Sequence, residues 1–269
     1  MSTLLEAQSK YQRIRIEDDW NHPNDWILYL DDLFQLSTWS EYKYHESLIT
    51  MPMVVAPSID RIIICGGGDG MSLRESLRFK YCLPTLVELD PGMLQIFRDM
   101  PEYAKYNDNS FKNERANIIV GDAVKYLEQP FESKWNMIVW DFPGPKDDDS
   151  DAGLYTYSNL NNAINNLHEE GVFVTHVSIP IPVMYNLVKT LRARGFYCWT
   201  YDAYYSLDGA HDSFLVASRH PLVKQRNIPS ESRWATNDRV RLAFSNATEL
   251  TDEKSEYFMH FLDMGEFEQ

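Results

Sequence analysis

Apolar positions along this chain follow two different periods, and the change falls near residue 55. Upstream, Tyr11–Glu17 alternates polar and apolar residues, the pattern of a half-buried strand. Trp26–Leu30 and Asp31–Leu36 predict a strand, a tight turn and a second strand, so residues 1–55 are expected to form a small N-terminal antiparallel β-unit. Tyr42–Ile49 then opens a helical pattern. Downstream, residues 56–269 alternate strand and helix. Runs rich in β-branched and aromatic residues predict strands at Arg61–Cys65, Thr85–Glu88, Ile118–Val120, Met137–Trp140, Gly171–His176, Tyr197–Tyr201 and Ser213–Ala217. Between them the spacing predicts helices over Ser72–Lys80, Pro91–Asp99, Val124–Glu128, Tyr157–Leu167 and Val183–Arg194. Pro91 sits at an early helical position and Gly195 at a C-cap position. Two later helices, Arg233–Phe244 and Thr251–Leu262, are expected to pack onto this body. Such alternation specifies an α/β fold, a mostly parallel, right-handed, doubly wound sheet with helices on both faces.

Composition narrows the partners. The chain has 269 residues, 44% of them hydrophobic, enough for a sizeable core. Its formal net charge is -15. A binder of nucleic acid needs a basic face, and an anionic membrane surface would repel this chain, so neither partner is expected. An acidic field concentrates cations instead, which suits a cationic small-molecule substrate. Cys65, Cys82 and Cys198 are odd in number and widely spaced, and they read as free thiols of a reducing compartment. No His/Cys cluster has metal-ligand spacing, so no metal is expected. No apolar run approaches a membrane span and no basic-then-apolar segment opens the chain. The expected location is the cytoplasm.

The chemistry gathers at the strand ends. Arg61–Cys65 runs into Gly66-Gly-Gly-Asp-Gly70, and Thr85–Glu88 ends in a carboxylate. Gly66 and Gly68 would let the backbone approach a nucleoside-sized ligand, and an acid ending the next strand suits a ribose diol. No lysine follows as it would in a Walker loop. Ligands of open α/β sheets bind at these carboxyl ends. Acids stand at the first four of them: Asp69; Glu88 with Asp90; Asp122; and Asp141. Any one of these is as well explained as a helix N-cap, whereas four in succession are not. Glu88 has the reach to accept both ribose hydroxyls. Asp122 can accept from an adenine amine, with the Ala123 N–H donating to a ring nitrogen. Asp69 can pair with an ammonium. Asp141, on the fourth strand, would face the reacting centre as a general base.

These residues resemble the spermidine synthase family of aminopropyltransferases, in particular the catalytic domain of its longer bacterial-type members. The likeness extends over residues 27–245. It is carried by Tyr29–Gln35, Tyr44-His-Glu46, Cys65–Gly70 with Leu73-Arg-Glu75, Val87–Asp90, Gly121-Asp-Ala123, Asp141–Pro145 with Leu154-Tyr155, and Ser213–Ser218. The resemblance implies a class I methyltransferase-like (Rossmann-like) sheet with a small N-terminal β-unit. It implies decarboxylated S-adenosylmethionine as co-substrate, with no permanently bound cofactor, and a putrescine-like diamine or polyamine as acceptor. It further implies that Gln35, His45, Asp69, Glu88, Asp122 and Ala123 hold the donor. Tyr44, Asp141 and Tyr155 would orient and deprotonate the amine, in a homodimer or homotetramer.

Two places depart from the family pattern. Gly144 stands where the family has a second aspartate beside the acceptor, and the acidic run Asp147–Asp151 reads as a solvated loop. Tyr204–Asp212 carries His211-Asp212 in place of an aromatic-glycine segment. His176, ending the fifth strand, reads as structural. The departures keep two alternatives open: a methyltransferase or lyase using intact S-adenosylmethionine on the same site, and a non-catalytic homologue.

Overall fold

A computed structural model describes residues 2–143, 152–176, 181–204 and 211–245. Gly144, the acidic run 147–151, residues 205–210 of the altered segment and the expected helix 251–262 lie outside the described residues.

The N-terminal strands β1 (Thr3–Gln8), β2 (Arg13–Asp18), β3 (Trp26–Leu30) and β4 (Leu33–Ser37) form an antiparallel sheet in that order. The tight turn between β3 and β4 is Asp31-Asp32, with φ of 49° and 66°. Aspartate tolerates this left-handed conformation, and two such residues match the twist of a hairpin. Strand β1 was not legible in the sequence, because adjacent Leu4 and Leu5 break the alternation and Leu4 is half exposed. A helical segment follows, made of α1 (Glu41–His45), one π turn (Glu46–Thr50) and α2 (Met51–Val55). Residues 45–55 are all buried.

The main sheet contains β5 (Arg61–Gly66), β6 (Leu83–Glu88), β7 (Asn117–Val120), β8 (Trp135–Asp141), β9 (Leu167–His176), β10 (Tyr197–Tyr204) and β11 (His211–Ser218). Their order is β10-β11-β9-β8-β5-β6-β7. Strands β5 to β9 are parallel, and β11 runs antiparallel between β9 and β10. The helices between strands are α3 (Met71–Leu77), α4 (Pro91–Asp99), α5 (Pro101–Ala104), α6 (Ala123–Glu128), α7 (Tyr157–Asn165) and α8 (Ile181–Ala193), and α9 (Asn237–Ser245) closes the described chain. This is the Rossmann-like α/β architecture that the strand–helix alternation predicts.

The period of two in β5 shows how the layers are filled. Ile62 and Ile64 enter the core on one face, and Ile63 and Cys65 enter the core on the other. The first core also takes in Ile14, Ile16, Trp26 and Leu28, so the small sheet packs on the same face as Ile62 and Ile64. Full burial of each such side chain contributes roughly 1.5–3 kcal/mol. Cys65, Cys82 and Cys198 are buried and unpaired.

Among the boundaries that differ from the sequence pattern, three are instructive. Helix α3 stops at Leu77 rather than Lys80, and the Arg115 guanidinium donates to the carbonyls of Leu77, Phe79 and Cys82 that follow. Strand β9 begins at Leu167, four residues before the expected Gly171, through an irregular step in its pairing with β8. Helix α9 starts at Asn237 rather than at residue 233. The backbone N–H groups of Arg233, Trp234 and Ala235 are drawn onto the buried Glu46 carboxylate at 2.7–2.8 Å, and the Thr236 hydroxyl accepts from the Arg239 N–H.

Candidate functional site

The strand order reverses between β5 and β8, where Gly66 and Asp141 are register partners. Ligand crevices of doubly wound sheets open at this point. The glycine turn is pressed between its neighbours there. Gly66 has φ of +90°, and a Cβ on it would overlap the Asp141 carbonyl oxygen. A Cβ on Gly68 would lie 2.8 Å from Glu88 Oε2. The turn thus spans the gap between Asp141 and Glu88.

Each carboxylate of the row has a defined hold. Asp69 accepts from the Met71 N–H at 2.7 Å, at the start of α3. Glu88 Oε1 accepts from the Asp90 N–H at 2.7 Å. Asp90 caps α4 through the Gly92 N–H and also accepts from Ser9 and Gln12, which ties it to the N-terminal sheet and away from the row. Asp122 Oδ1 caps α6, accepting from the N–H groups of Val124 and Lys125; the cap does not take up the N–H of Ala123. For Asp69 and Asp122 the capping and binding readings are compatible, since the backbone bonds of each use Oδ1 alone. Asp141 caps no helix among the described residues. Tyr44 Oη donates to its Oδ1 at 2.7 Å and Ser72 Oγ to its Oδ2 at 2.8 Å.

Behind the row lies a buried ion network. Glu41 accepts from His45 Nδ1 at 2.9 Å, from Arg74 at 2.8 and 3.1 Å, and from Arg233 at 3.0 Å. Arg74 also binds Glu75 on its own helix and the Tyr106 carbonyl. Burial alone would raise the Glu41 carboxyl, but the His45 hydrogen bond and the charges of His45 and Arg74 prevail and bring it to about 2. Burial would likewise lower His45. Its hydrogen bond to Glu41 and the charges of Asp69 and Glu41 reverse that and hold the imidazole up at about 9. His45 Nε2 stands 3.7 Å from Asp69. Asp69 is raised, chiefly by burial, with His45 opposing. Burial pushes Glu88 up to about 7, with Asp90, Asp69 and Asp141 adding repulsion.

The structure brings Gly66, Gly68, Asp69, Glu88, His45, Tyr44 and Asp141 together. Asp122 and Ala123 follow at the end of β7, beside β6. Tyr155 is buried, and its hydroxyl reaches the Phe142 and Pro143 carbonyls at 3.3 and 3.4 Å, holding the chain that leaves Asp141. Gln35 is exposed on β4, and its amide donates to the Leu33 carbonyl. It makes no hydrogen bond to the row among the described residues. Sequence reasoning missed Ser72 and Glu41. Ser72 was legible only as a helix start, and Glu41 only as an acid one helical turn before His45. Among the described residues, no group of three His, Cys, Asp or Glu side chains could hold a metal ion, and no helix is long and apolar enough to cross a membrane.

Comparison with known proteins agrees with this geometry. Residues 41–205 match the spermine/spermidine synthase domain. The chain is 33% identical over 221 residues to polyamine aminopropyltransferase 2 of Bacillus cereus, covering 81% of this chain and 59% of that protein. It is 30% identical over 240 residues to polyamine aminopropyltransferase 2 of Aquifex aeolicus, covering 88% of this chain and 48% of that one. It thus spans about half to three fifths of these relatives' length. The crystal structure of spermidine synthase from Thermotoga maritima superposes with a TM-score of 0.75 at 22% identity, covering 90% of this chain and 83% of that one, and so shares the fold. A spermidine synthase in complex with the transition-state analogue AdoDATO superposes with a TM-score of 0.74 at 23% identity, with the same coverage. The domain match covers well over half of the chain and contains the glycine turn, all four strand-end acids and Tyr44; the chain belongs to the spermine/spermidine synthase family.

Proposed function

We propose that this chain transfers the aminopropyl group of decarboxylated S-adenosylmethionine to a primary amine of a diamine or polyamine, releasing methylthioadenosine. The carrying observation is Asp141, a carboxylate at the switch point that caps no helix among the described residues and is aimed by two hydroxyls from other elements. In this reading Glu88 accepts the ribose hydroxyls across Gly68, and Gly66 gives the ligand its approach. Asp122 and the Ala123 N–H meet the adenine. Asp69, steadied by the His45 imidazolium, meets the aminopropyl ammonium. Gln35 is assigned to the donor side on family likeness alone, and Tyr155 to the acceptor side. The amine nitrogen attacks the methylene carbon next to the sulfonium, and the C–S bond breaks with its electron pair going to sulfur. Asp141 takes the proton that the amine loses, with Tyr44 fixing the carboxylate.

The electrostatics favour the decarboxylated donor. A carboxylate on intact S-adenosylmethionine would face Asp69, Asp141 and Glu88. The nearest described cations are already engaged, Arg74 by Glu41 and Glu75 and His45 by Glu41 and Asp69. Residues 1–55 serve as the N-terminal β-unit, supplying Gln35, Tyr44 and His45, and residues 56–269 as the catalytic domain. The same reading assigns the protein to the cytoplasm as a homodimer or homotetramer. The test is incubation with decarboxylated S-adenosylmethionine and a panel of amines, following methylthioadenosine by chromatography. Release that depends on a diamine is expected. No release with any amine, or release from the intact donor instead, would sink the reading.

A further inference from the structure

The row of strand-end groups continues past Asp141. Trp140 pairs with Thr175 in the last register step of β8 and β9, so Asp141 and His176 end adjacent strands side by side. His176 is only 7% exposed. Its Nε2 lies 2.5 Å from the Phe142 carbonyl oxygen. A carbonyl only accepts, so Nε2 carries the hydrogen and, in the neutral ring, Nδ1 is a lone pair. That Nδ1 is buried and has no hydrogen-bond partner among the described residues. Buried polar atoms are paired in the great majority of native folds, and an orphan beside a crevice marks a place for a ligand donor.

The surroundings say which ligand. The His176 ring lies 6.0 Å from the ring of Tyr44, whose hydroxyl is on Asp141. The Tyr44 ring also meets His45 at 5.1 Å, and His45 adjoins Asp69. Tyr44 therefore touches both His176 and the His45 that stands by Asp69. In an in-line displacement the nucleophile arrives opposite the leaving sulfur. With the adenosyl group over β5, β6 and β7, that direction is the β8–β9 side.

We propose that His176 Nδ1 accepts a hydrogen bond from the N–H of the acceptor amine beside Asp141, and so selects against a tertiary amine, whose ammonium carries a single N–H. The inference rests on the aminopropyl-transfer reading. A primary ammonium carries three N–H groups. One proton passes to Asp141 and one N–H is held by His176, which turns the freed lone pair toward the methylene carbon. A tertiary ammonium has one N–H, which Asp141 consumes, and Nδ1 stays unpaired.

The test is calorimetric binding of putrescine and spermidine to protein saturated with methylthioadenosine, for wild type, His176→Leu and His176→Gln. His176→Leu fills the space without polar atoms and is expected to weaken amine binding tenfold or more, with methylthioadenosine affinity within about threefold of wild type. His176→Gln can donate to the Phe142 carbonyl and still offer an acceptor oxygen, so it should recover most of the affinity. Amine binding by His176→Leu equal to wild type, no recovery in His176→Gln, or a parallel loss of methylthioadenosine affinity would each overturn the role of His176 alone. Absence of amine binding in wild type would overturn the aminopropyl-transfer reading as well. Should His176→Leu fail to fold, the wild type decides: N,N,N′,N′-tetramethylputrescine should bind at least tenfold more weakly than putrescine, and equal binding refutes the proposal.

Discussion

The two halves of the strand-end row are built differently. On the β5–β7 half every carboxylate also binds backbone within three residues of itself: Asp69 with Met71, Glu88 with Asp90, Asp122 with Val124 and Lys125. Local sequence sets the direction of these side chains. On the β8–β9 half the holds are distant. Asp141 is fixed by Tyr44, 97 residues away, and by Ser72, 69 residues away, and His176 by a carbonyl 34 residues away. One half is oriented by the turns that carry it, the other by the packing of separate elements. Under the proposed aminopropyl transfer the β5–β7 half holds the donor, and differences in acceptor should arise on the other.

The strongest challenge to this division is Asp141→Asn. The amide keeps the shape and can still meet the Tyr44 and Ser72 hydroxyls, but it cannot take a proton. Loss of a general base costs roughly 10²–10⁴ in rate. The expected outcome is a fall of that size in turnover, with methylthioadenosine binding by calorimetry within about threefold of wild type. Normal turnover would remove Asp141 from the chemistry, and a collapse of nucleoside binding would show that the halves are not separate.

The same division explains what could be read from the chain. The glycine turn, the first four parallel strands and the acids that end them were legible because each signal lies within a few residues of its effect. Glu88 follows its own strand, and Asp122 precedes its own helix. The Glu41–Arg74 pair and the Ser72 hold on Asp141 were not legible, since each joins residues from different elements. Arg74 illustrates the limit. Its bond to Glu75 on α3 follows from the sequence, while its pair with Glu41 depends on how α1 meets α3. His176 reads as structural from its position, and its contact with the Phe142 carbonyl again joins two elements. The start of α9 was misplaced for the same reason, because the Glu46 carboxylate that reshapes Arg233–Ala235 lies nearly 190 residues away.

A smaller effect with a defined sign is expected on the donor half at Glu88. Its folded value of about 7 lies above the ordinary 4.5, so the fold favours the protonated form. That contribution to stability is full below pH 4.5 and is lost as pH rises through 7. The ribose hydroxyls favour the ionised form, because both can then donate to it. Methylthioadenosine should therefore bind more tightly as pH rises from 5.5 to 8.5, by up to about tenfold per unit below pH 7, and level off above it. Glu88→Gln should flatten this profile and weaken binding at pH 8 by roughly ten- to hundredfold. The ligand-free variant should melt higher than wild type at pH 8 and close to it at pH 4.5. A wild-type affinity that is flat across the range would show that Glu88 does not meet the diol. The trade of stability for an ionised Glu88 would then have no ligand to justify it.

The smallest effects expected, and the most discriminating, come from the hydroxyls that aim Asp141. Tyr44→Phe keeps the ring between His45, His176 and Phe214 and removes one donor. Ser72→Ala removes the other from inside α3, with little else disturbed. A neutral hydrogen bond contributes about 0.5–1.5 kcal/mol and one to a charged group about 1.5–3, so each variant should slow turnover by a few-fold to about a hundredfold. Methylthioadenosine affinity should not move, because neither hydroxyl faces the adenosyl half. The two holds act on one carboxylate, each through its own oxygen, so after the first is lost the second alone keeps the group pointed. The double variant should then be slower than the product of the two single losses, a coupling measurable by a double-mutant cycle. Simple multiplication of the two losses would mean that the hydroxyls act independently, and the β8–β9 half would be no more dependent on long-range packing than its neighbour.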